Sequence, residues 1–96
     1  MKSLFHNMTL FSTKDKIFIT MEITNWKNRD IINHLITRKC ILQKDLAKDI
    51  YNLLGRDYSP HSLSGKIHRN AIKLEELQAA CKLLGYRLIL EEIEEP

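Results

Sequence analysis

Apolar residues recur at two different spacings along this chain. Ile17, Ile19, Met21 and Ile23 alternate with Phe18, Thr20 and Glu22. That is the period of a strand with one face turned to a core, and it predicts a strand over 17–23. From Trp26 the spacing changes to three and four. Trp26, Ile32, Leu35 and Ile36, with Ile31 widening the stripe, predict a helix capped by Thr24 or Asn25 and running to about Lys39. Ile41 and Leu42 lead into a second helix over Gln43–Leu54. Its apolar face is Leu46, Ala47, Ile50, Leu53 and Leu54, and Gly55 stands where a left-handed stop belongs.

Ser59-Pro60 has the order of an N-cap and a first helical residue, because proline lacks an N–H that would go unbonded there anyway. A third helix is expected over Pro60–His68, with Leu63 and Ile67 facing inward. After a turn at Arg69–Ile72, a fourth is expected over Leu74–Leu84, stopped by Gly85, with Leu74, Leu77, Cys81 and Leu84 as its buried stripe. Glu75 and Glu76 lie in its first turn, where the helix dipole favours negative charge. Tyr86, Leu88 and Leu90 then alternate with Arg87, Ile89 and Glu91, a second strand candidate.

This divides the chain into an extension at 1–23, a helical unit at 24–85, and a strand with an acidic tail at 86–96. Residues 1–15 show no periodicity and are expected to be poorly ordered. The two strand candidates bracket the helices, which invites pairing of 17–23 with 86–93 within one chain or by exchange between two. A start at Met21 is the alternative for the extension; the strand pattern runs straight across that residue and argues against it.

Composition narrows the class. The 96 residues suffice for one small core, and 44% hydrophobic with 28% charged residues is globular rather than disordered. No apolar run approaches the roughly 18 residues of a membrane span, and MKSLFHNMTLFS lacks the apolar stretch and cleavage site of a secretory signal. Cys40 and Cys81 make no disulfide framework. A cytoplasmic chain with reduced thiols is expected, both cysteines serving as small buried hydrophobes. Trp26 is expected to anchor the core and His34 to lie on the surface.

Charge is uneven. Lys27–Arg87 holds twelve Lys/Arg against six Asp/Glu, a surplus of +6, whereas EEIEEP carries four glutamates. Arg56, Lys66, Arg69 and Lys73 against Asp57 alone give +3 over eighteen residues, with His61 and His68 among them. A basic segment of this density suits a polyanion, because each phosphate it neutralises releases condensed counterions.

Three segments carry a resemblance. Leu42-Gln43-Lys44-Asp45-Leu46-Ala47 looks like the motif opening of the lambda-repressor/Cro-like (Xre) DNA-binding family. Ser59-Pro60-His61-Ser62-Leu63-Ser64-Gly65-Lys66-Ile67 is similar to that family's recognition helix, and Leu74-Glu75-Glu76-Leu77 through Leu84-Gly85 resembles its closing helix. The match covers about residues 26–85. It implies a mainly α, four-helix, lambda-repressor-like helix-turn-helix fold, here with short flanking strands at the N- and C-terminal ends. The chain departs from the family in the eleven residues, Lys48–Tyr58, between Ala47 and Ser59. That spacing requires a longer second helix or a wider turn.

A helix fits the major groove of B-DNA and meets base edges with its N-terminal residues. His61, Ser62, Ser64, Gly65 and Lys66 are therefore the candidates for base contact. Gln43 (by the resemblance), Lys44, Arg56, Arg69 and Lys73 are the candidates for the phosphate backbone. The expected partner is double-stranded DNA, bound by a homodimer joined through Tyr86, Leu88 and Leu90, in a transcriptional regulator without cofactor.

Catalysis finds no support: there is no glycine-rich phosphate loop, nucleophile motif or interior carboxylate pair. His61 and His68 lack the further ligands of a metal site. The rival reading is an antitoxin or adaptor that uses residues 1–20 or the acidic tail as an arm for a protein partner. RNA is disfavoured by the lack of stacking aromatics on the basic segment.

Overall fold

In the computed structural model, which describes residues 8–59 and 62–95, two strands precede four helices. β1 (Met8–Ser12) and β2 (Ile17–Met21) form an antiparallel hairpin with Leu10 opposite Ile19 and Phe11 opposite Phe18. Its connection is closed by the Thr13 N–H donating to Lys16 O at 2.7 Å. The expected strand is present but ends at Met21, and its partner is residues 8–12, which were expected to be irregular. Closing a four-residue connection costs far less chain entropy than bringing in residues 86–93. Among the described residues, 86–95 form no strand.

The helices are α1 (Asn28–Lys39), α2 (Gln43–Leu53), α3 (Ser62–His68) and α4 (Leu74–Leu84). The start of α1 differs from expectation. The Trp26 N–H donates to Ile23 O at 2.9 Å, and the Thr24 hydroxyl donates to Glu22 Oε1 at 3.0 Å. Residues 23–26 are thus spent on a turn, and the helix begins three residues later behind an uncapped Lys27. Pro60 and His61 lie outside the described residues.

The core is Ile31, Ile32 and Leu35 of α1, Leu46, Ala47, Ile50 and Tyr51 of α2, Leu63 of α3, Ile72, and Leu77, Ala79, Ala80 and Cys81 of α4. Several details depart from the sequence pattern. On α2, Tyr51 is buried where Leu53 was expected, because the inward face runs Ala47, Ile50, Tyr51, Leu54. Leu74 opens α4 on the surface, and Glu76 is buried instead. His34 is buried at 6% exposure, edge-on to the half-buried Trp26 with ring centroids 5.6 Å apart. Burial first, and the Arg38 charge second, hold its imidazole below the ordinary pKa of 6.5. Burial raises the Cys81 thiol, as for an inert core residue; Cys40, in contrast, is exposed.

Cys40 is exposed because it ends α1 in a left-handed conformation, at φ 53°. The Ile41 N–H reaches back to Ile36 O, satisfying a carbonyl that the helix leaves open. Asn70, at φ 54°, ends α3 in the same way, with the Ala71 N–H on Lys66 O at 2.7 Å. The other two stops are the expected Gly55 and Gly85. Among the described residues, no helix is long and apolar enough to cross a membrane.

Candidate nucleic-acid interface

α3 is held by its two apolar residues and by the turns around it. Leu63, 1% exposed, is buried in the core, and Ile67 packs beside it one turn on. The Asn28 side-chain amide donates to Ile72 O at 2.9 Å, tying α1 to the turn that follows α3. Between α2 and α3 the Arg56 N–H donates to Tyr51 O at 2.8 Å, and the Ser62 N–H donates to Ser59 O at 3.1 Å. The long spacing of the sequence is thus taken up by an eleven-residue α2, a turn at 54–55 and, among the described residues, an irregular stretch over 56–59.

With 63 and 67 inward, the outward line of α3 is 64, 65 and 68 at helical spacing. Ser64 and His68 are exposed, and Gly65 and Ser62 are half-buried. A side chain on Gly65 would meet the Arg69 guanidinium, whose Nη1 lies 2.9 Å from the place a Cβ would take. Arg69 therefore lies back across the outer surface of α3 rather than away from it. His68, seven residues after His61, stands on the same outward line. His61 itself falls outside the described residues.

Lys66 departs most from expectation. Its ammonium is turned inward to Glu76 Oε2 at 2.5 Å and lies 5.8 Å from the centre of the Tyr51 ring. Glu76, 0% exposed, also accepts the Lys73 backbone N–H on its other oxygen at 2.9 Å. One buried carboxylate thus joins α3 to the start of α4, and the Lys66 ammonium is paired within the protein instead of standing free on the outward line. Arg56 is likewise engaged, in an ion pair with Glu75 that is partly exposed. Lys44, Arg69 and Lys73 are exposed and have no ion-pair partner among the described residues. Gln43, half-buried, is the first residue of α2, whose N-cap Leu42 offers no side-chain oxygen. The Asp45 N–H donates to Leu42 O, so of the first turn of α2 the Gln43 and Lys44 N–H groups remain open to an outside acceptor.

Of the three residues expected to join two chains, Tyr86 packs against its own core, with the Lys39 ammonium 5.3 Å from its ring centre. Its N–H donates to Cys81 O, which closes the end of α4 and fixes the residue there. Leu88 and Leu90 remain exposed. No family model matches the chain, and no curated protein or solved structure matches it.

Proposed function

We propose that this chain is a sequence-specific DNA-binding transcriptional regulator of the lambda-repressor-like helix-turn-helix type, with α3 entering the major groove of operator DNA. The observation that carries the reading is the rotation of α3. Buried Leu63 and packed Ile67 leave Ser64, Gly65 and His68 outward, with the Arg69 guanidinium beside Gly65. A helix about 10–12 Å across fits a groove about 12 Å wide, and the seven residues of α3 make a rod about 10 Å long within it. The short polar side chains of Ser62 and Ser64 let bases approach closely, and the Arg69 guanidinium takes the space that Gly65 leaves. Lys44, Arg69 and Lys73, with the open start of α2, supply the phosphate contacts. A single module of this size buries modest area, so two copies act on an inverted repeat with half-sites roughly 34 Å apart.

Selection of bound duplexes from a random pool, followed by anisotropy titration of the selected sequence, tests this. The logarithm of the affinity is expected to fall linearly with log salt between about 50 and 200 mM. Absence of binding to any duplex at the low end overturns the reading. The exposed Leu10, Ile17 and Leu90 favour a second reading, an antitoxin or adaptor with a protein partner. That reading gains if no duplex binds.

A further inference from the structure

Arg69 has no ion-pair partner among the described residues, yet its guanidinium occupies a definite place on α3. The cations before it are engaged, Lys66 with Glu76 and Arg56 with Glu75. The Arg69 N–H donates to Gly65 O at 3.0 Å, and the chain leaves the helix only at Asn70, at φ 54°. Arg69 therefore stands one turn beyond Gly65 on the same line of the helix, and a helical side chain leans back toward the N-terminus. The guanidinium falls against Gly65, the fourth of the seven residues of α3, instead of trailing past the helix end.

Gly65 supplies the space. Gly55 and Gly85 stop helices at positive φ, whereas Gly65 sits inside a helix with no such backbone need, where alanine is the more favourable residue. From the point that a Cβ of residue 65 would occupy, Arg69 Nη1 lies at 2.9 Å, Cζ at 3.7 Å and Nη2 at 3.8 Å. A methyl group there would displace Nη1, while the other two atoms are at ordinary contact distance.

Gly65 belongs to the outward line of α3, so a guanidinium beside it faces whatever that line meets. Guanine shows two acceptors, O6 and N7, on its major-groove edge, and a planar guanidinium meets both at once. Adenine offers one acceptor beside a donor, which a fork of donors matches only in half. We propose that Arg69 reads a guanine of the operator through this fork, with Gly65 as the positioning residue that sets it at the middle of α3. The assignment rests on the reading of α3 as the helix in the groove. A guanidinium in the groove still stands among phosphates, so its charge releases counterions as well. The niche also restricts a flexible side chain before binding, which lowers the ordering loss on association.

The test uses the full chain and the duplex selected from the random pool. Exchanging each base pair in turn, read by competition anisotropy, should show a G·C pair in each half-site whose replacement by A·T weakens binding roughly tenfold or more. Arg69→Gln should remove that preference and leave those at other pairs; a phosphate contact alone would weaken all duplexes alike. Gly65→Ala should remove the same preference with the charge of Arg69 still present, so with the salt slope unchanged, and at an equal or higher urea midpoint. Combining the two substitutions should cost nothing further at that pair. In the free protein, nuclear Overhauser contacts between the Gly65 α-protons and the Arg69 side chain are expected. Their absence, a guanine preference that survives Arg69→Gln, or a loss spread evenly over all pairs with either variant overturns the assignment while duplex binding stands. Binding to no duplex overturns the regulatory reading, and this assignment with it.

Discussion

The contact most open to a quantitative test is the one between Lys66 and Glu76. Glu76 is fully buried, and its two oxygens are shared between the Lys73 N–H and the Lys66 ammonium. Lys66 keeps 21% of its side chain exposed, so it is only partly desolvated. Removing one partner of a buried pair costs roughly 3–5 kcal/mol, because the other charge is left uncompensated. The partial exposure and the remaining N–H bond place Lys66→Met near the lower end, at about 3 kcal/mol. Glu76→Gln keeps an oxygen for the Lys73 N–H and leaves the lysine able to turn to water, so about 1.5 kcal/mol is expected. In the double variant no buried charge is stranded, and the loss should be about 2 kcal/mol rather than the sum of the two.

Urea unfolding of the four proteins measures this, with unchanged m-values as the sign that one transition is being compared. The interaction energy from the cycle should be at least 1 kcal/mol. Additivity to within about 0.5 kcal/mol would refute the tether. The same variants separate tethering from phosphate contact. Lys66→Met should weaken duplex binding through a looser α3 while leaving the salt slope unchanged, because its charge is already satisfied within the protein.

Three further outcomes follow from particular residues. Ser64→Ala with His68→Ala should narrow the gap between selected and random duplexes by about 1–3 kcal/mol per lost base contact, read by competition anisotropy; an unchanged gap places the reading surface elsewhere. Cys40→Gly should stabilise the fold by about 0.5–1 kcal/mol, because the left-handed stop of α1 then carries no Cβ; a lower urea midpoint would contradict that account. His34 resists protonation in the folded protein, whereas the unfolded chain takes up its proton near pH 6.5. Its contribution is therefore whole above that pH and is lost as pH falls toward its depressed folded value, so the urea midpoint should drop between about pH 7.5 and 5.5. His34→Phe should flatten that drop, and an equal drop in the variant would assign it to other groups.

Much of the fold can be read from residue spacing, and the exceptions share a physical cause. α2 and α4 are legible because amphipathic spacing ends at Gly55 and Gly85, residues that adopt a left-handed stop without steric cost. Asn70, a residue that tolerates the left-handed stop, makes it within the turn expected at Arg69–Ile72, whereas nothing local distinguishes Cys40 from a helix-interior residue. β1 is only five residues long and becomes a strand because β2 lies one short turn away. Burial of Glu76 is illegible for a related reason: an acid in a first helical turn ordinarily faces water, and its partner stands ten residues earlier. The burial of His34 is illegible because the Trp26 ring packed beside it comes from the turn that replaces the expected cap.

These hidden pairings change how a basic segment should be counted. The sequence offers five cations to the phosphate backbone and groove: Lys44, Arg56, Lys66, Arg69 and Lys73. If each neutralised one phosphate, log affinity would fall with log salt at a slope of about −4.5 per chain. The structure commits Lys66 to Glu76 and Arg56 to Glu75. The three that remain predict about −2.7 per chain, and twice that for a pair of chains on one operator. Releasing Arg56 with Glu75→Gln should steepen the slope by up to about 0.9 per chain, whereas Arg56→Ala should leave it unchanged. A wild-type slope near the larger figure would mean that both ion pairs open when DNA binds, so that the acidic first turn of α4 yields its cations to phosphate.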